Sequence, residues 1–217
     1  MKSFRVGDRE VEYFIIRNAN SKFVHLRFRP NLQLEVTVPK NQPVEVQKIL
    51  RRKKQWIQKC CEELEASKRI FDGRRVLYKG KYYSVDISGA KTGKPRIGNA
   101  TITLSNQEQK EVNLVLMNWM GKQTERFVRR RLKKYRANYN TLSISGIKKW
   151  AHCTRDGDLV FNWQLIGLPR NLADYVVLHE TIHLTEFNHS KKFSYRLAQI
   201  CPNFKAKEAM LKKFIID

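Results

Sequence analysis

Hydrophobic and polar residues alternate through the first 40 residues, and this pattern is typical of half-buried strands. The alternation predicts strands at 11–16, 23–28 and 32–38. From 43 to about 68 the hydrophobic residues, such as Leu50 and Ile57, recur at helical spacing, so a single helix is predicted there. Alternation then returns and predicts further strands at 75–78, 82–87 and 100–104.

The second half of the chain is predicted to contain more helix than strand. Helical spacing predicts helices at 109–135, 190–200 and 204–215. Strands at 147–153 and 159–165 flank Asp156-Gly157, and Asp-Gly between alternating segments is a strong hairpin signal. Another helix follows Pro169. The order predicts an α+β protein with a β-rich N-terminal subdomain at 1–106, containing one helix, and a second subdomain at 107–217.

The helix after Pro169 carries the clearest chemical pattern, His179-Glu180-Thr181-Ile182-His183, with His189 six residues later. Residues four apart share one face of a helix, so His179 and His183 can bind one ion. Glu180 lies beside that ion, where a general base takes a proton from a water molecule at the metal. His189 is the third ligand, which leaves one position of a tetrahedral Zn²⁺ open, as in catalytic sites.

Local features support a helix at this position. Asn171 is a candidate N-cap, and Asp174 three residues later is a candidate capping-box partner. Three of the five histidines fall between 179 and 189, which is unusual for solvated side chains. The alternative is an amphipathic surface helix whose histidines bind no metal.

The net charge of the chain bears on its possible partners. The chain has 43 Lys and Arg against 20 Asp and Glu, a net charge of +23. Such a surplus favours polyanionic partners, nucleic acid first, although a solvated surface has the same composition. The densest basic run comprises Arg129, Arg130, Arg131, Lys133 and Lys134, and it is the leading candidate for nucleic-acid contact.

The start of the chain has no apolar signal segment, and no run of hydrophobic residues approaches the roughly 18 needed for a membrane span. The four cysteines form no C-x-x-C pair, so neither a zinc ribbon nor a disulfide framework is indicated. A reduced, cytoplasmic, soluble protein without membrane contact is expected.

Several segments together resemble one family. They are Val36-Thr37-Val38-Pro39, Lys53-Lys54-Gln55-Trp56-Ile57, Val76-Leu77-Tyr78-Lys79-Gly80-Lys81, Trp163 to Pro169, Asp174 to His183, and Asn188 to Phe193. Over about 10–215 the chain resembles the YgjP-like group (domain of unknown function 45) of zinc metallopeptidases, which is related to the SprT-like and WLM zincins. The resemblance implies a zincin-like core, in which the active-site helix lies beside a small antiparallel sheet. It also implies His179, His183 and His189 as zinc ligands, with Glu180 as the base.

One departure concerns His152. The family usually has Arg-Trp-Gly-Ser-Cys where this chain has Lys149-Trp150-Ala151-His152-Cys153. His152 is therefore expected to face the metal cleft, as a catalytic stabiliser of developing negative charge, a phosphate contact or a packing residue. The family's Phe-Trp after the third ligand is Phe193-Ser194 here.

The leading hypothesis is a zinc peptidase acting on proteins or peptides. Asp174 and Glu186 are candidates for orienting a histidine N–H, or else simple helix-face charges. The hairpin strand at Trp150 to Cys153 could pair with an extended peptide. Kinship with SprT-like and WLM proteins, whose substrates are proteins crosslinked to DNA, would explain the basic surface through DNA binding.

Two alternatives use the same motif differently. A metal site in a cationic cleft could hydrolyse a nucleotide phosphoanhydride, although the glycines are scattered and form no phosphate loop. Alternatively, the chain could be a non-catalytic nucleic-acid-binding protein with a structural metal. That alternative needs a fourth ligand, for which Glu186 and His152 are the nearby candidates.

Overall fold

The computed structural model describes residues 2–29, 32–88, 95–105 and 111–216. The chain forms two compact units, Met1–Ser67 and Lys68–Asp217. The sequence analysis predicted the boundary between the two subdomains after residue 106 instead. The strands between 68 and 105 lie with the second unit because their hydrophobic residues, including Leu77 and Ile102, are buried in the same core as the later helices.

The first unit contains a four-stranded sheet and two helices. The strands are β1 Lys2–Val6, β2 Arg9–Asn18, β3 His25–Phe28 and β4 Leu34–Pro39, in the order β1-β2-β4-β3. The helices are α1 Val46–Arg52 and α2 Lys54–Glu65. The sequence analysis predicted one helix here, but the structure has two, because the backbone at Lys53 (φ −98°, ψ 11°) leaves the helical region. Strand β1, paired with β2, was not predicted.

The second unit begins with short strands. They are β5 Lys68–Arg69, β6 Arg75–Tyr78, β7 Lys81–Ser88, β8 Arg96–Ile97 and β9 Thr101–Ser105. The last four form a sheet in the order β6-β7-β9-β8. Helix α3 follows at Val112–Lys134; the predicted start of this helix at 109 lies outside the described residues.

A small sheet and three helices complete this unit. The strands β10 Leu142–Ser145, β11 Ala151–Cys153 and β12 Leu159–Asn162 precede a 3₁₀ helix, Trp163–Gly167. Helices α4 Arg170–His183, α5 Lys191–Ile200 and α6 Phe204–Leu211 follow, and β13 Phe214–Ile215 pairs with β5. The α+β class is confirmed, with helix α4 beside the small sheet.

Two details of that sheet differ from the expectation. It is mixed rather than antiparallel, because β10, which was not predicted, runs parallel to β12. The predicted strand at 159–165 ends at Asn162, whose side-chain oxygen accepts the backbone N–H of Gln164 (2.8 Å) and turns the chain into the 3₁₀ helix. Within the described ranges, no helix combines the length and hydropathy needed to cross a bilayer.

Candidate metal centre

Helix α4 supplies two of the three clustered histidines. Most of its residues are buried, including Leu172, Val177 and Ile182, so core packing stabilises it. The helix begins two residues earlier than predicted, because the carbonyl of Pro169 already accepts the N–H groups of Leu172 (2.9 Å) and Ala173 (3.0 Å). Asn171 is therefore inside the first turn and is not the N-cap.

The chain after α4 turns back and brings in His189. The N–H of Glu186 donates to the carbonyl of Ile182 (2.9 Å), which closes the last turn. Asn188 does not adopt the left-handed conformation that often ends a helix: the described non-glycine residues with positive φ are Leu32, Lys79 and Arg136. The side chain of Ser190 then caps α5 by accepting the N–H of Phe193 (3.2 Å).

The three imidazoles converge through their Nε2 atoms. His179 and His189 are 3.0 Å apart at these atoms, and each of the two other pairs is 3.2 Å apart. Ligands at 2.0–2.1 Å from a tetrahedral zinc ion lie roughly 3.3 Å from one another, so the observed triangle has nearly the right size. These are the residues that could hold a metal ion among those described.

Hydrogen bonds at the opposite ring nitrogens leave two Nε2 atoms free to bind. The Nδ1 of His183 donates to the backbone carbonyl of Glu186 (2.9 Å). The hydroxyl of Tyr175 donates to Glu208 Oε1 (3.0 Å), so its oxygen can accept a longer contact (3.5 Å) from Nδ1 of His179. A proton on Nδ1 leaves the Nε2 lone pair available.

Burial favours the neutral form of His179 and His183, the form in which a histidine binds a metal. Burial lowers the pKa of His179 to about 4, with His183 and His189 adding to the effect. Burial also lowers the pKa of His183 and outweighs the carbonyl of Glu186, which raises it. The buried ring of Phe193 lies against all three imidazoles at centroid distances of 4.6–4.9 Å.

Glu180 lies on the same helix and is 7% exposed. Burial raises the pKa of its carboxyl to about 7, against a smaller lowering by Lys149. A carboxylate with a pKa near neutral pH is suited to accept and return a proton. This shift follows from the helix face on which Glu180 lies, between the core and the histidines.

A cavity of about 560 Å³ adjoins this group. His179 and Glu180 lie on one wall, and the other walls are mostly hydrophobic, with Trp150, Val176, Leu211 and Phe214 among the lining residues. Tyr175 and Glu208 also line it. The sequence analysis assigned no role to either residue. The only signal for Tyr175 was its spacing of four from His179, and Glu208 had none because it comes from the distant helix α6.

The two acidic residues considered as histidine partners have other contacts. Asp174 Oδ1 accepts hydrogen bonds from Tyr135 (2.8 Å) and from Arg131 Nε (3.0 Å), so it contacts helix α3. The carboxylate of Glu186 pairs with Lys192 (2.8 Å) and Arg196 (3.2 Å). Glu186 therefore orients His183 through its backbone carbonyl, and its carboxylate instead holds α5.

His152 is placed on the far face of its strand. It pairs with Val160 on β12, between Ala151 and Cys153. Ala151 lines the cavity beside Glu180, and the charge of Glu180 contributes, after burial, to raising the pKa of Cys153 to about 11. Successive strand residues point to opposite faces, so the structure turns Ala151 and Cys153 toward Glu180 and His152 away from it.

The side chains of the basic run at 129–134 face different neighbours. Arg129 pairs with Glu125 (2.8 Å), and the amine of Lys134 lies over the ring of Tyr135 (5.7 Å). Arg130 and Arg131 line a separate cavity. Lys133 is exposed. Consecutive helical residues lie about 100° apart around the axis, which is why one run faces several directions.

A family model described as "YgjP-like, metallopeptidase domain" matches residues 22–214. Neither a curated protein nor a solved structure matches the chain. The matched range contains the histidine cluster, Glu180 and the adjoining cavity.

Proposed function

The chain belongs to the YgjP-like metallopeptidase family, and from that premise we propose that it is a zinc-dependent peptidase whose general base is Glu180. The observation that carries the proposal is the triangle of Nε2 atoms with 3.0–3.2 Å sides. His179, His183 and His189 would hold the ion. A bound Zn²⁺ polarises the scissile carbonyl and lowers the pKa of water.

Glu180 carries the proton transfers. Its carboxylate accepts a proton from the attacking water and delivers that proton to the nitrogen of the leaving amine as the peptide bond breaks. The buried position of Glu180 supports this role, because burial raises the pKa of its carboxyl in the metal-free chain to about 7 and so makes the carboxylate a better proton acceptor.

The surroundings offer a place for the substrate. Strand β11 is at the edge of its sheet, in the order β10-β12-β11, and an edge strand can pair with an extended peptide. The cavity of about 560 Å³ lies between this strand and α4, and its hydrophobic walls suit a large apolar side chain of the peptide. The peptide backbone would then lie beside His179 and Glu180.

The decisive experiment compares zinc-loaded wild type with Glu180→Gln on a broad set of unfolded proteins and peptides. Loss of a general base lowers the cleavage rate about 10²–10⁴-fold while the zinc content stays the same. Equal cleavage by both proteins would refute the role of Glu180. Absence of cleavage by zinc-loaded wild type across the set would refute the peptidase proposal.

We also propose that DNA-associated proteins are substrates, supported by the net charge of +23. The test is cleavage of a DNA-binding protein with and without DNA at low and high salt. DNA should increase the rate at low salt, and the increase should disappear as salt screens the contact. A rate independent of DNA at both salt concentrations would remove DNA from the proposal.

The site argues against a purely structural metal. A closed zinc site needs four protein ligands, whereas the group found among the described residues contains three. Both candidates for the fourth position are engaged elsewhere: Glu186 pairs with Lys192 and Arg196, and His152 is on the opposite face of β11. No observation favours phosphoanhydride hydrolysis at the histidine cluster over peptide hydrolysis.

A further inference from the structure

A second cavity, of about 270 Å³, lies at the N-terminal end of α4. Four cationic side chains line it, above a floor that includes the buried side chains of Phe127 and Leu168. The cations are Lys79, Arg130, Arg131 and Arg170. Arg170 begins the helix that carries His179 nine residues later, about 14 Å along the helix axis.

Three distant segments bring these cations together. The turn between β6 and β7 is held to the 3₁₀ segment, because Lys79 N–H donates to Ile166 (2.9 Å) and Gly80 N–H donates to Gly167 (2.9 Å). Gly80 has φ +83°, and a Cβ there would lie 3.1 Å from Pro169, so glycine allows the turn to approach the start of α4. Helix α3 contributes Arg130 and Arg131.

The positive charge in this cavity is poorly compensated. Arg131 pairs at Nε with Asp174 (3.0 Å), so one of the four cations is compensated. In the part of the chain that the structure describes, no acidic side chain pairs with Lys79, Arg130 or Arg170. Cations around one small cavity repel one another, and an anion would remove that cost.

The start of α4 adds to the positive field. Its N-cap is Pro169, which makes no side-chain capping bond, and its first turn contains no acidic residue. The N–H groups at Arg170 and Asn171 precede the first intrahelical bonds of the helix, so they are available to an acceptor. A helix N-terminus in this state favours an anion.

We propose that this cavity is a binding site for a phosphate group, either free or carried by a nucleotide or nucleic-acid chain. Guanidinium groups match the tetrahedral oxygens of phosphate in paired hydrogen bonds, and a lysine adds a compact charge. The hydrophobic floor limits the depth to which the anion enters, so the phosphate lies at the level of the cations. The site is separate from the histidine cluster and does not depend on the proposed peptidase activity.

The test is a titration of the full, zinc-loaded chain with three probes: inorganic phosphate, a 5′-phosphorylated single-stranded oligonucleotide and the same oligonucleotide with a 5′-hydroxyl. The variants are Arg130→Gln, Arg170→Gln and their combination. Lys122→Gln is the control, because Lys122 is an exposed cation on α3 outside the cavity, and it changes the net charge equally. Arg130, Arg170 and Lys122 are exposed side chains on helices, and circular dichroism checks that each variant folds.

We expect the double variant to bind its best probe at least about tenfold more weakly than wild type, and Lys122→Gln less than about twofold more weakly. Preference for the 5′-phosphate identifies a terminal phosphate, equal binding of both oligonucleotides identifies the backbone phosphate, and binding of inorganic phosphate alone identifies a free anion. A second control combines Lys122→Gln with Arg155→Gln, two surface substitutions outside the cavity. If this control loses as much binding affinity as the Arg130/Arg170 double variant, the proposal is overturned. Absence of binding by all three probes would overturn it too.

Discussion

Two half-buried histidines lie at the C-terminal end of α4, whereas exposed cations surround its N-terminal end. At the first end, burial lowers the pKa of His179 and His183, and hydrogen bonds orient both rings. At the second end, Lys79, Arg130 and Arg170 are exposed and have no acidic partner among the described residues. The C-terminal end of α4 thus offers imidazole lone pairs to a cation, and the cavity at its N-terminal end offers positive charges to an anion.

The two ends of α4 therefore depend on different surroundings. The histidine cluster needs neutral imidazoles, because a protonated imidazole cannot bind a metal, and partial burial of His179 and His183 favours the neutral form. The cationic cavity needs water at its rim, because dry guanidinium groups without partners would be too costly. Changes at the first end should therefore alter metal binding steeply, and changes at the second end should be graded and sensitive to salt.

The largest expected effect comes from His183→Ala. Removing one of three ligands should lower zinc affinity by about a thousandfold or more, and activity should fall with it. Elemental analysis after dialysis against a weak chelator measures the loss. The matched control is His25→Ala on β3, an exposed histidine that should leave the zinc content unchanged. Retention of one zinc per chain by His183→Ala would contradict the ligand assignment.

Next comes the hydrogen bond behind His179. Tyr175→Phe removes the hydroxyl between Glu208 and His179, so the imidazole loses its orienting partner. Zinc affinity should fall about 10–100-fold, the usual effect of removing such a partner. Competition with a chromophoric chelator gives the affinity, and Tyr195→Phe, at an exposed tyrosine, is the control. Identical affinities for both variants would show that the 3.5 Å contact contributes nothing.

Burial of Glu180 should cost stability in the metal-free protein. Its folded-state pKa of about 7 exceeds the ordinary 4.5, so the folded state binds more protons and the free energy of unfolding falls as pH rises between these values. At pH 8, Glu180→Gln should be more stable than wild type by about 1–3 kcal/mol, and the two should be equal near pH 4.

Urea unfolding at both pH values measures this difference. Glu63→Gln, at an exposed glutamate on α2, should show no gain at either pH. If the stability difference between Glu180→Gln and wild type is the same at pH 8 as at pH 4, the expected effect of burial is contradicted. A bound divalent cation lowers the pKa of a nearby carboxyl, so zinc should reduce the gain.

The smallest effect concerns Asp174, whose carboxylate pairs with Arg131 of the cationic cavity. Asp174→Asn keeps an oxygen that can accept from Arg131 and Tyr135 but removes a negative charge. Phosphate affinity should rise about two- to fivefold at low salt, and the rise should shrink at high salt. Calorimetric titration at two salt concentrations measures it. Weaker phosphate binding at low salt would contradict the electrostatic account of the cavity.

Local patterns were sufficient for several of these features. A spacing of four along α4 brings His179 and His183 to one face, and alternation predicted β2, β4, β6 and β7. The missed strands β1 and β10 and the 3₁₀ helix all depend on partners elsewhere in the chain: β10 pairs with β12, and the 3₁₀ helix begins where the side chain of Asn162 turns the backbone. Short elements carry too few residues for a period to be visible.

The residues of the candidate site also include some that the sequence could predict and some that it could not. The family resemblance and the motif identified His179, Glu180, His183 and His189 from residues within one short segment. The partners of Asp174, the contact of Glu208 with Tyr175 and the outward face of His152 were not predictable. Each depends on how a distant element packs, and for His152 a shift of one residue along β11 would have reversed its face.

The histidine spacing, the adjacent glutamate, the α+β class and the strong positive charge can all be recognised in the sequence. The meeting of Lys79, Arg130 and Arg170 at one cavity, while Arg129 pairs elsewhere, is visible only in the folded structure. The two kinds of feature depend on interactions of different range. Covalent geometry places helix neighbours within a turn of each other, whereas residues 40 or more positions apart meet only through packing of the segments between them.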